Sequence, residues 1–149
     1  MRADVLAKLY KMQSHEENGS FVERHYLSKG SDRPDSGAIY YFLGNKEKAL
    51  FHQIDCDEYW AYVAGADLEV WLIVKGELTK KVLGVGDGKE PLLYIPKGTI
   101  FGAKHFANAE DGTFISCITV PRFDYQGWRL IGQDEVERIC PEVKNFADE

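Results

Sequence analysis

The sequence has little of what several large classes of protein depend on. Its three cysteines are odd in number, widely spaced and without a C-x-x-C pair, which argues against a disulfide framework or a cysteine zinc site. No apolar run reaches the roughly 20 residues of a membrane-spanning helix, and no signal peptide is recognisable. The formal charge is −6 with no basic patch, unlike that of a nucleic-acid-binding protein. We therefore expect a cytoplasmic protein that binds neither nucleic acid nor a membrane.

What the sequence does contain favours one β-rich domain over residues 1–149. A chain of 149 residues fits a single domain, and no linker or repeat divides it. Many short runs rich in β-branched and aromatic residues are separated by turn signals such as VKGE and PKGT. Helical periodicity is confined to ADVLAKLYKM, with Val5, Leu6 and Leu9 on one face, and QDEVERIC. This pattern predicts a β-sandwich or small barrel with short N- and C-terminal helices.

The stretch FHQIDCDEYWAYVAG, residues 51–65, carries the most informative polar residues. It reads as two strands joined by a short turn, with His52 on the first strand and Glu58 on the second. Side chains of one parity share a face of a strand, so an inward Glu58 implies inward Trp60 and Tyr62. The pattern predicts a histidine and a carboxylate that meet inside a barrel with aromatic walls.

The same stretch resembles the first cupin motif, in which a glycine and a H-x-H pair precede a glutamate and a second glycine. His52, Glu58 and Gly65 stand at the first histidine, the glutamate and the final glycine. Ile54 replaces the second histidine, and Gly44, the nearest preceding glycine, lies two residues too early. Of the four residues that typically ligate a metal in cupins, three histidines and a glutamate, the sequence therefore retains two, His52 and Glu58.

A second cupin motif is partly present in IPKGTIFGAKH. Pro96 and Gly98 match its P-x-G element, but Phe101 occupies its histidine position and His105 its asparagine position. Phe101 therefore places a ring where a cupin metal site has an imidazole.

Over about residues 5–131 the chain resembles the Cupin_5 family (DUF985) of the RmlC-like cupin superfamily. The matching segments are HEENGSFVERHY, SGAIYYFL, FHQIDCDEYWAYVAG, IPKGTIFGAK and FISCITVPRFDY, in the expected order. The resemblance implies a double-stranded β-helix, or jelly roll, and a homodimer. Because exposed sheet edges tend to pair between chains, we expect strands from residues 19–28 or 36–43 to contribute to the dimer.

The predicted site is a pocket for a small molecule in the barrel mouth. We assign His52 and Glu58 as its polar, catalytic pair. Six further residues are expected to line or wall it, namely Trp60, Tyr62, Phe101, Tyr40, Cys117 and Thr119. Aromatic walls and a few convergent polar groups suit a carbohydrate or nucleotide-linked ligand, uncharged or anionic.

Several functions remain open for this pair. Proton transfer beside a carbonyl, without a cofactor, would make the protein an isomerase or epimerase. The pocket would otherwise serve a non-catalytic binding or sensor module. A divalent metal at His52 and Glu58 is the minority alternative, because such an ion is held by about four ligands. Finally, a buried His–Glu pair can be purely structural.

Charged residues outside this stretch are expected to have other roles. Glu23, Arg24 and His25 are predicted to be surface or dimer contacts. Arg122, in PRFDY, is predicted to seat a loop at the barrel mouth, with contact to an anionic ligand as the alternative.

Overall fold

The computed structural model describes residues 2–27 and 33–147. These described residues form two short helices, two 3₁₀ segments and eleven strands. The α-helices are α1 (Ala3–Leu9) and α2 (Gln133–Ile139), and the 3₁₀ segments are Tyr125–Gly127 and Pro141–Ala147. The strands are β1 (Gln13–Ser14), β2 (Ser20–Leu27), β3 (Ser36–Leu43), β4 (Lys48–Ile54), β5 (Asp57–Gly65), β6 (Leu68–Val74), β7 (Glu77–Leu83), β8 (Leu92–Ile95), β9 (Ile100–His105), β10 (Thr113–Val120) and β11 (Trp128–Leu130).

The strands form two antiparallel sheets packed face to face. Sheet A has the order β1-β2-β3-β10-β5-β8, and sheet B has the order β11-β4-β9-β6-β7. Successive strands along the chain alternate between the sheets at several points, as in a jelly roll. The predicted fold class is therefore confirmed, with two short flanking helices.

The space between the sheets holds the main hydrophobic core. Its largest fully buried side chains include Trp60 of sheet A and Phe101 of sheet B. A second apolar cluster lies on the outer face of sheet B, where Phe51 and Trp71 pack against Phe146 from the C-terminal 3₁₀ segment. The two faces of sheet B are thus both covered.

Helix α1 buries a different face from the one that its periodicity suggested. Ala3 is fully buried, whereas Val5 and Leu9 are exposed. The helix contacts β10, β3 and β5, and in its first turn the backbone amide of Ala3 donates to Asp111 Oδ2 at 3.0 Å. At its other end Tyr10 packs against Tyr40 and Phe114, so the face that carries Ala3 and Tyr10 is the one held against sheet A.

Candidate functional site

A nearly enclosed cavity of about 40 Å³ lies between the two sheets. Sheet A lines it with side chains from β3, β5 and β10, sheet B lines it with β4, and the loops after β1 and β10 close it. On this measure a water takes roughly 10–15 Å³, so the cavity has room for about three waters. The lining residues are His15, Glu17, Gly37, Ile39, Tyr41, His52, Ile54, Glu58, Trp60, Cys117, Thr119 and Phe123.

Glu17 enters this cavity from a tight turn that follows β1. Asn18 and Gly19 both have positive φ, +77° and +76°, which reverses the chain and points the Glu17 side chain back toward the sheets. Glycine is required at the second position, because a Cβ on Gly19 would lie 2.5 Å from the Tyr41 hydroxyl. The turn is held by the Tyr41 hydroxyl, which donates to Asn18 O at 2.7 Å, and by Asn18 Nδ2, which donates to Lys48 O at 2.9 Å.

A β-bulge in β4 connects Glu17 to His52. The register with β9 shifts between Ala49 and His52, which leaves the Leu50 peptide groups outside the ladder. Leu50 N donates to Glu17 O at 2.8 Å, and Leu50 O lies 2.6 Å from His52 Nδ1. One residue of the bulge therefore fixes both the backbone of Glu17 and the ring of His52.

The hydrogen bonds around His52 define its tautomer. A carbonyl oxygen can only accept, so Nδ1 carries the proton that is donated to Leu50 O. Nε2 is then an acceptor in the neutral ring, and it lies 3.2 Å from Glu17 Oε2. Burial lowers the pKa of His52 to about 4 and raises the pKa of Glu17 well above its usual value. The pair is therefore neutral, with the Glu17 carboxylic acid donating to His52 Nε2.

His15 flanks the other oxygen of Glu17. Its Nδ1 accepts a hydrogen bond from Glu17 N at 3.2 Å and lies 3.5 Å from Glu17 Oε1. Aromatic rings surround the imidazole, with the centroid of Phe21 at 5.0 Å and that of Tyr125 at 5.8 Å. This burial lowers the pKa of His15 to about 4, so the ring is neutral and holds its proton on Nε2.

Glu58 is the second buried carboxyl group of the cavity. Trp60 Nε1 donates to Glu58 Oε1 at 2.6 Å, and the Cys117 thiol also bonds the carboxyl group. Burial raises the pKa of Glu58 to about 7, and the two hydrogen bonds oppose that rise. The charge of Glu58 in turn adds to the burial that raises the pKa of Glu17. The cavity thus holds one carboxyl group that titrates near neutral pH and one that stays protonated.

Trp128 completes the surroundings of Glu17. Its indole group lowers the pKa of that carboxyl group, yet Nε1 is buried and no acceptor meets hydrogen-bond geometry for it among the described residues. The indole N–H is therefore placed to bond an ionised Glu17.

The predicted site residues divide into two groups in the structure. His52, Glu58, Trp60, Cys117 and Thr119 all line the cavity. Of the predicted pair, however, His52 makes its carboxyl contact with Glu17 and not with Glu58.

The other three predicted residues lie outside the cavity lining. Tyr40 is on the opposite face of β3, where it packs edge-on against Tyr10 at 5.0 Å, and its neighbour Tyr41 faces the cavity. Tyr62 packs on the core further along β5, and its hydroxyl donates to Gly65 O. Phe101 lies behind the His52 ring, with a centroid distance of 4.1 Å. It supports the histidine and does not form the cavity surface.

Glu17 and His15 were missed in the sequence because they belong to a loop. The segment HEENGS lies outside the predicted strands, so its acidic residues have no strand parity from which to infer direction. One signal was available: a turn with Asn18 and Gly19 that leads directly into a strand holds the preceding residue close to the sheet.

Arg122 seats a loop, as predicted. Its Nε and Nη2 donate to the two carboxylate oxygens of Glu23 at 2.8 and 2.7 Å. The adjoining loop is held by Phe123 N, which donates to Thr119 Oγ1 at 2.9 Å. Thr119 therefore lines the cavity, and its hydroxyl oxygen accepts the hydrogen bond that holds the loop.

The residues present do not fit the metal site of a cupin. Ile54 and Phe101 stand at two of the ligand positions, and their hydrocarbon side chains cannot bind a metal. Both ring nitrogens of His52 already have partners, since Nδ1 bonds Leu50 O and Nε2 contacts Glu17 Oε2. Within residues 2–27 and 33–147, no group of three or more His, Cys, Asp and Glu side chains has the arrangement of a metal site.

The two antiparallel sheets with a polar cavity between them define a cupin. The chain belongs to the Cupin_5 family, described as cupin superfamily (DUF985), whose model matches residues 4–131. This confirms the resemblance that the motifs predicted.

Solved structures share the fold of this chain. Protein SO0799 from Shewanella oneidensis is 28% identical, with a TM-score of 0.88 over 97% of this chain and 93% of that one. A hypothetical protein from Leishmania major is 23% identical, with a TM-score of 0.86 over 95% and 94%. Oxalate decarboxylase from Bacillus subtilis shares the fold at 16% identity, with a TM-score of 0.62 over 89% of this chain and 33% of that one. None of the curated proteins matches the sequence.

In residues 2–27 and 33–147, no helix has the length and apolar character needed to cross a membrane.

Proposed function

We propose that the inter-sheet cavity binds a small molecule and transfers protons on it without a transition metal, as in an isomerase or epimerase. The observation that carries this proposal is Glu58, a fully buried carboxyl group with a pKa of about 7 beside the protonated carboxyl group of Glu17. General acid–base catalysis is most effective when the pKa of the catalytic group lies near the working pH.

The two carboxyl groups would have complementary roles. The Glu58 carboxylate removes a proton from the carbon next to a carbonyl group. Glu17 turns its acidic hydrogen from His52 Nε2 to the carbonyl oxygen and transfers that proton, which produces a neutral enol. For epimerisation the enol turns, Glu58 returns its proton to the other face of the same carbon, and Glu17 recovers its proton from the enol oxygen. For isomerisation of an α-hydroxy carbonyl compound, Glu58 returns its proton to the neighbouring carbon of the enediol, and Glu17 takes up the proton of the other hydroxyl group. His52 positions Glu17 through the contact at Nε2, and Trp128 stabilises the Glu17 carboxylate between the two steps.

The volume of the cavity restricts the ligand. A space for about three waters does not hold a sugar ring or a nucleoside, so the carbohydrate or nucleotide-linked ligand that we expected from the sequence does not fit the closed cavity. A carbonyl compound of a few non-hydrogen atoms, or one short arm of a larger molecule, is compatible with it.

Exchange of hydrogen for deuterium tests the proposed chemistry. Glycolaldehyde, hydroxyacetone and acetone are incubated with the protein in D₂O, and deuterium on the α-carbon is followed by NMR. We expect exchange above the buffer rate for at least one probe, and its loss in Glu58→Gln. Glu69→Gln is the matched control, because Glu69 accepts the same kind of hydrogen bond from a tryptophan outside the cavity.

The rival function is a non-catalytic binding module, and the same experiment separates the two. Exchange at the buffer rate for all three probes, with a folded protein, would contradict the catalytic proposal. The hydrogen bonds of His52 to Leu50 and of Glu58 to Trp60 are compatible with a protein that does not turn over a substrate.

We also propose a homodimer formed through β2. This strand pairs with β3 on one side, but β1 covers only Ser20 and Phe21 on the other, and nothing among the described residues pairs there with residues 22–27. Tyr26 and Leu27 are about half exposed on this edge. The alternative contribution of 36–43 is wrong as an edge, since β3 lies between β2 and β10. Residue 28 of the predicted segment lies outside the described residues.

Light scattering tests the dimer. We expect twice the monomer mass at micromolar concentration, a shift toward monomer in Leu27→Lys, and no shift in Val85→Lys, which changes an exposed loop residue. A monomer in the unmodified protein would refute the proposal.

A further inference from the structure

We infer that the cavity selects a ligand that carries a small ammonium group. The inference rests on the proposed function, because it assumes that the inter-sheet cavity is the ligand site. The geometry points to it through two buried carboxyl groups, Glu17 and Glu58, facing one enclosed space whose remaining walls are largely aromatic and aliphatic. Of the described residues that line the cavity, none is a lysine or an arginine.

The charges of the lining determine which ligand charge is tolerated. An anion would be repelled by the ionised form of Glu58 in a medium of low dielectric constant, with no cation from the lining to compensate it. A cation would instead neutralise the ionised form of Glu58. The expectation of an uncharged or anionic ligand, drawn from the sequence, is therefore replaced by that of a cation.

The aromatic side chains favour the same charge. Tyr41 and Trp60 stack with their ring centroids 5.9 Å apart and an interplanar angle of 29°, and Phe123 closes the cavity from the loop after β10. Aromatic faces attract ammonium groups, most strongly when water is excluded. Carboxylates combined with aromatic faces are thus a recognition surface for an amine in its protonated form.

The size of the cavity limits the ammonium group further. Room for about three waters admits a primary ammonium group on one or two carbons. Bulky quaternary ammonium groups are larger than the space between the sheets.

Binding of a cation would also release protons. Below pH 7 Glu58 is mostly protonated, since burial holds its pKa near that value. A cation stabilises the carboxylate, so binding displaces the proton. The donor that the Glu58 carboxylate then needs is in place, since Trp60 Nε1 donates to Glu58 Oε1 at 2.6 Å.

Calorimetric titration at pH 6.0 tests the inference with three probes of similar size: methylammonium, methanol and formate. Two buffers of different ionisation enthalpy, matched in ionic strength with sodium chloride, report the protons released. We expect methylammonium to bind at least tenfold more tightly than methanol or formate, with release of up to one proton. Tetramethylammonium should not bind.

Variants separate the cavity from nonspecific attraction to an acidic protein. Glu58→Gln should lose at least tenfold in methylammonium affinity together with the proton release, and Glu17→Gln should also weaken binding. Glu69→Gln should behave like the unmodified protein. Unchanged methylammonium binding in Glu58→Gln, or no methylammonium binding at all, would overturn the inference.

The results distinguish failure of the ammonium-site proposal from failure of the proposed catalysis. Selective methylammonium binding without deuterium exchange in any carbonyl probe would support the ammonium site and contradict the isomerase. Formate binding equal to or tighter than methylammonium binding would overturn the ammonium site, whether or not carbonyl probes exchange.

Discussion

Two Glu-x-Trp segments on consecutive strands show how the same local structure can take on different chemistry. In β5 Trp60 Nε1 donates to Glu58 at 2.6 Å, and in β6 Trp71 Nε1 donates to Glu69 at 2.8 Å. Each pair follows from the two-residue period of a strand, which places both side chains on one face. The local hydrogen bond is therefore a property of the sequence pattern alone.

The surroundings of the two pairs differ in charge and in contact with solvent. The Glu58–Trp60 pair faces the inter-sheet cavity, near the carboxyl group of Glu17. The Glu69–Trp71 pair lies on the outer side of sheet B, where the Lys80 ammonium group sits 4.0 Å from the centroid of the Trp71 ring. Only the first pair combines burial with a second acid, so reactivity is expected there and not in the second pair.

The largest expected difference between the two pairs is in turnover. Glu58→Gln should lower the rate of proton exchange on an active carbonyl probe by about 10²–10⁴-fold, the range for a general acid or base. Glu69→Gln should leave the rate within about twofold, since Glu69 does not reach the cavity lining. Equal losses in both variants would show that the glutamates act through stability, and circular dichroism of each variant checks that the fold is intact.

The dependence of stability on pH should distinguish the pairs next. Native Glu58 keeps its proton up to about pH 7, whereas unfolded Glu58 loses it near its ordinary pKa of 4.5. The native state binds more protons in this window, so the free energy of unfolding decreases as the pH rises from 4.5 to 7. At about 1.36 kcal/mol per pH unit, the loss reaches roughly 3 kcal/mol.

Urea denaturation at several pH values between 4.5 and 7.5 measures this effect. Glu58→Gln removes the titrating group, so its stability relative to the unmodified protein should rise by about 3 kcal/mol across the window. The contributions of His15 and His52, whose lowered pKa values cost stability as the pH falls from 6.5 toward 4, are common to both proteins and cancel. Parallel curves for the two proteins would mean that Glu58 titrates normally.

The comparison also explains how much of the molecule was predictable. The jelly roll followed from short alternating strands, and the buried positions of His52 and Glu58 followed from motif spacing and strand parity. Parity failed in β3, because SGAIYYFL has no polar alternation, and Tyr40 was chosen where Tyr41 faces inward. Glu17 could not be placed, since its position depends on long-range hydrogen bonds from a loop to Leu50 and Lys48.

Glycine variants test whether the turn at Asn18 and Gly19, which positions Glu17, is what distinguishes the Glu58–Trp60 pair from the Glu69–Trp71 pair. Gly19→Ala places a methyl group against the Tyr41 hydroxyl and Phe42 O, at a φ of +76°, and should cost about 1–3 kcal/mol of stability. Gly88→Ala is the control: its φ is +74°, but nothing lies within 4 Å of the added Cβ.

Urea denaturation of the two glycine variants separates the cost of the strained backbone from the effect of moving Glu17. Gly88→Ala should lose only about 1 kcal/mol, from the backbone conformation itself. In Gly19→Ala the loss should be larger, and methylammonium binding should weaken because Glu17 moves. Equal losses and unchanged binding would mean that the turn does not position Glu17.

The smallest effect is expected at the second pair. Lys80 lies opposite Trp71 in the antiparallel register of β6 and β7, and its ammonium group sits over the indole ring. Lys80→Met keeps most of the alkyl stem but removes the charge, so it should lower the free energy of unfolding by about 0.5–1 kcal/mol, the value of an exposed cation–π contact. Lys80→Arg, which keeps a cation over the ring, should restore most of the loss. Chemical denaturation at low and high salt measures both, and methylammonium affinity should not change in either variant. A change in that affinity would show that the outer face of sheet B communicates with the cavity, and the two Glu-x-Trp pairs would no longer be independent.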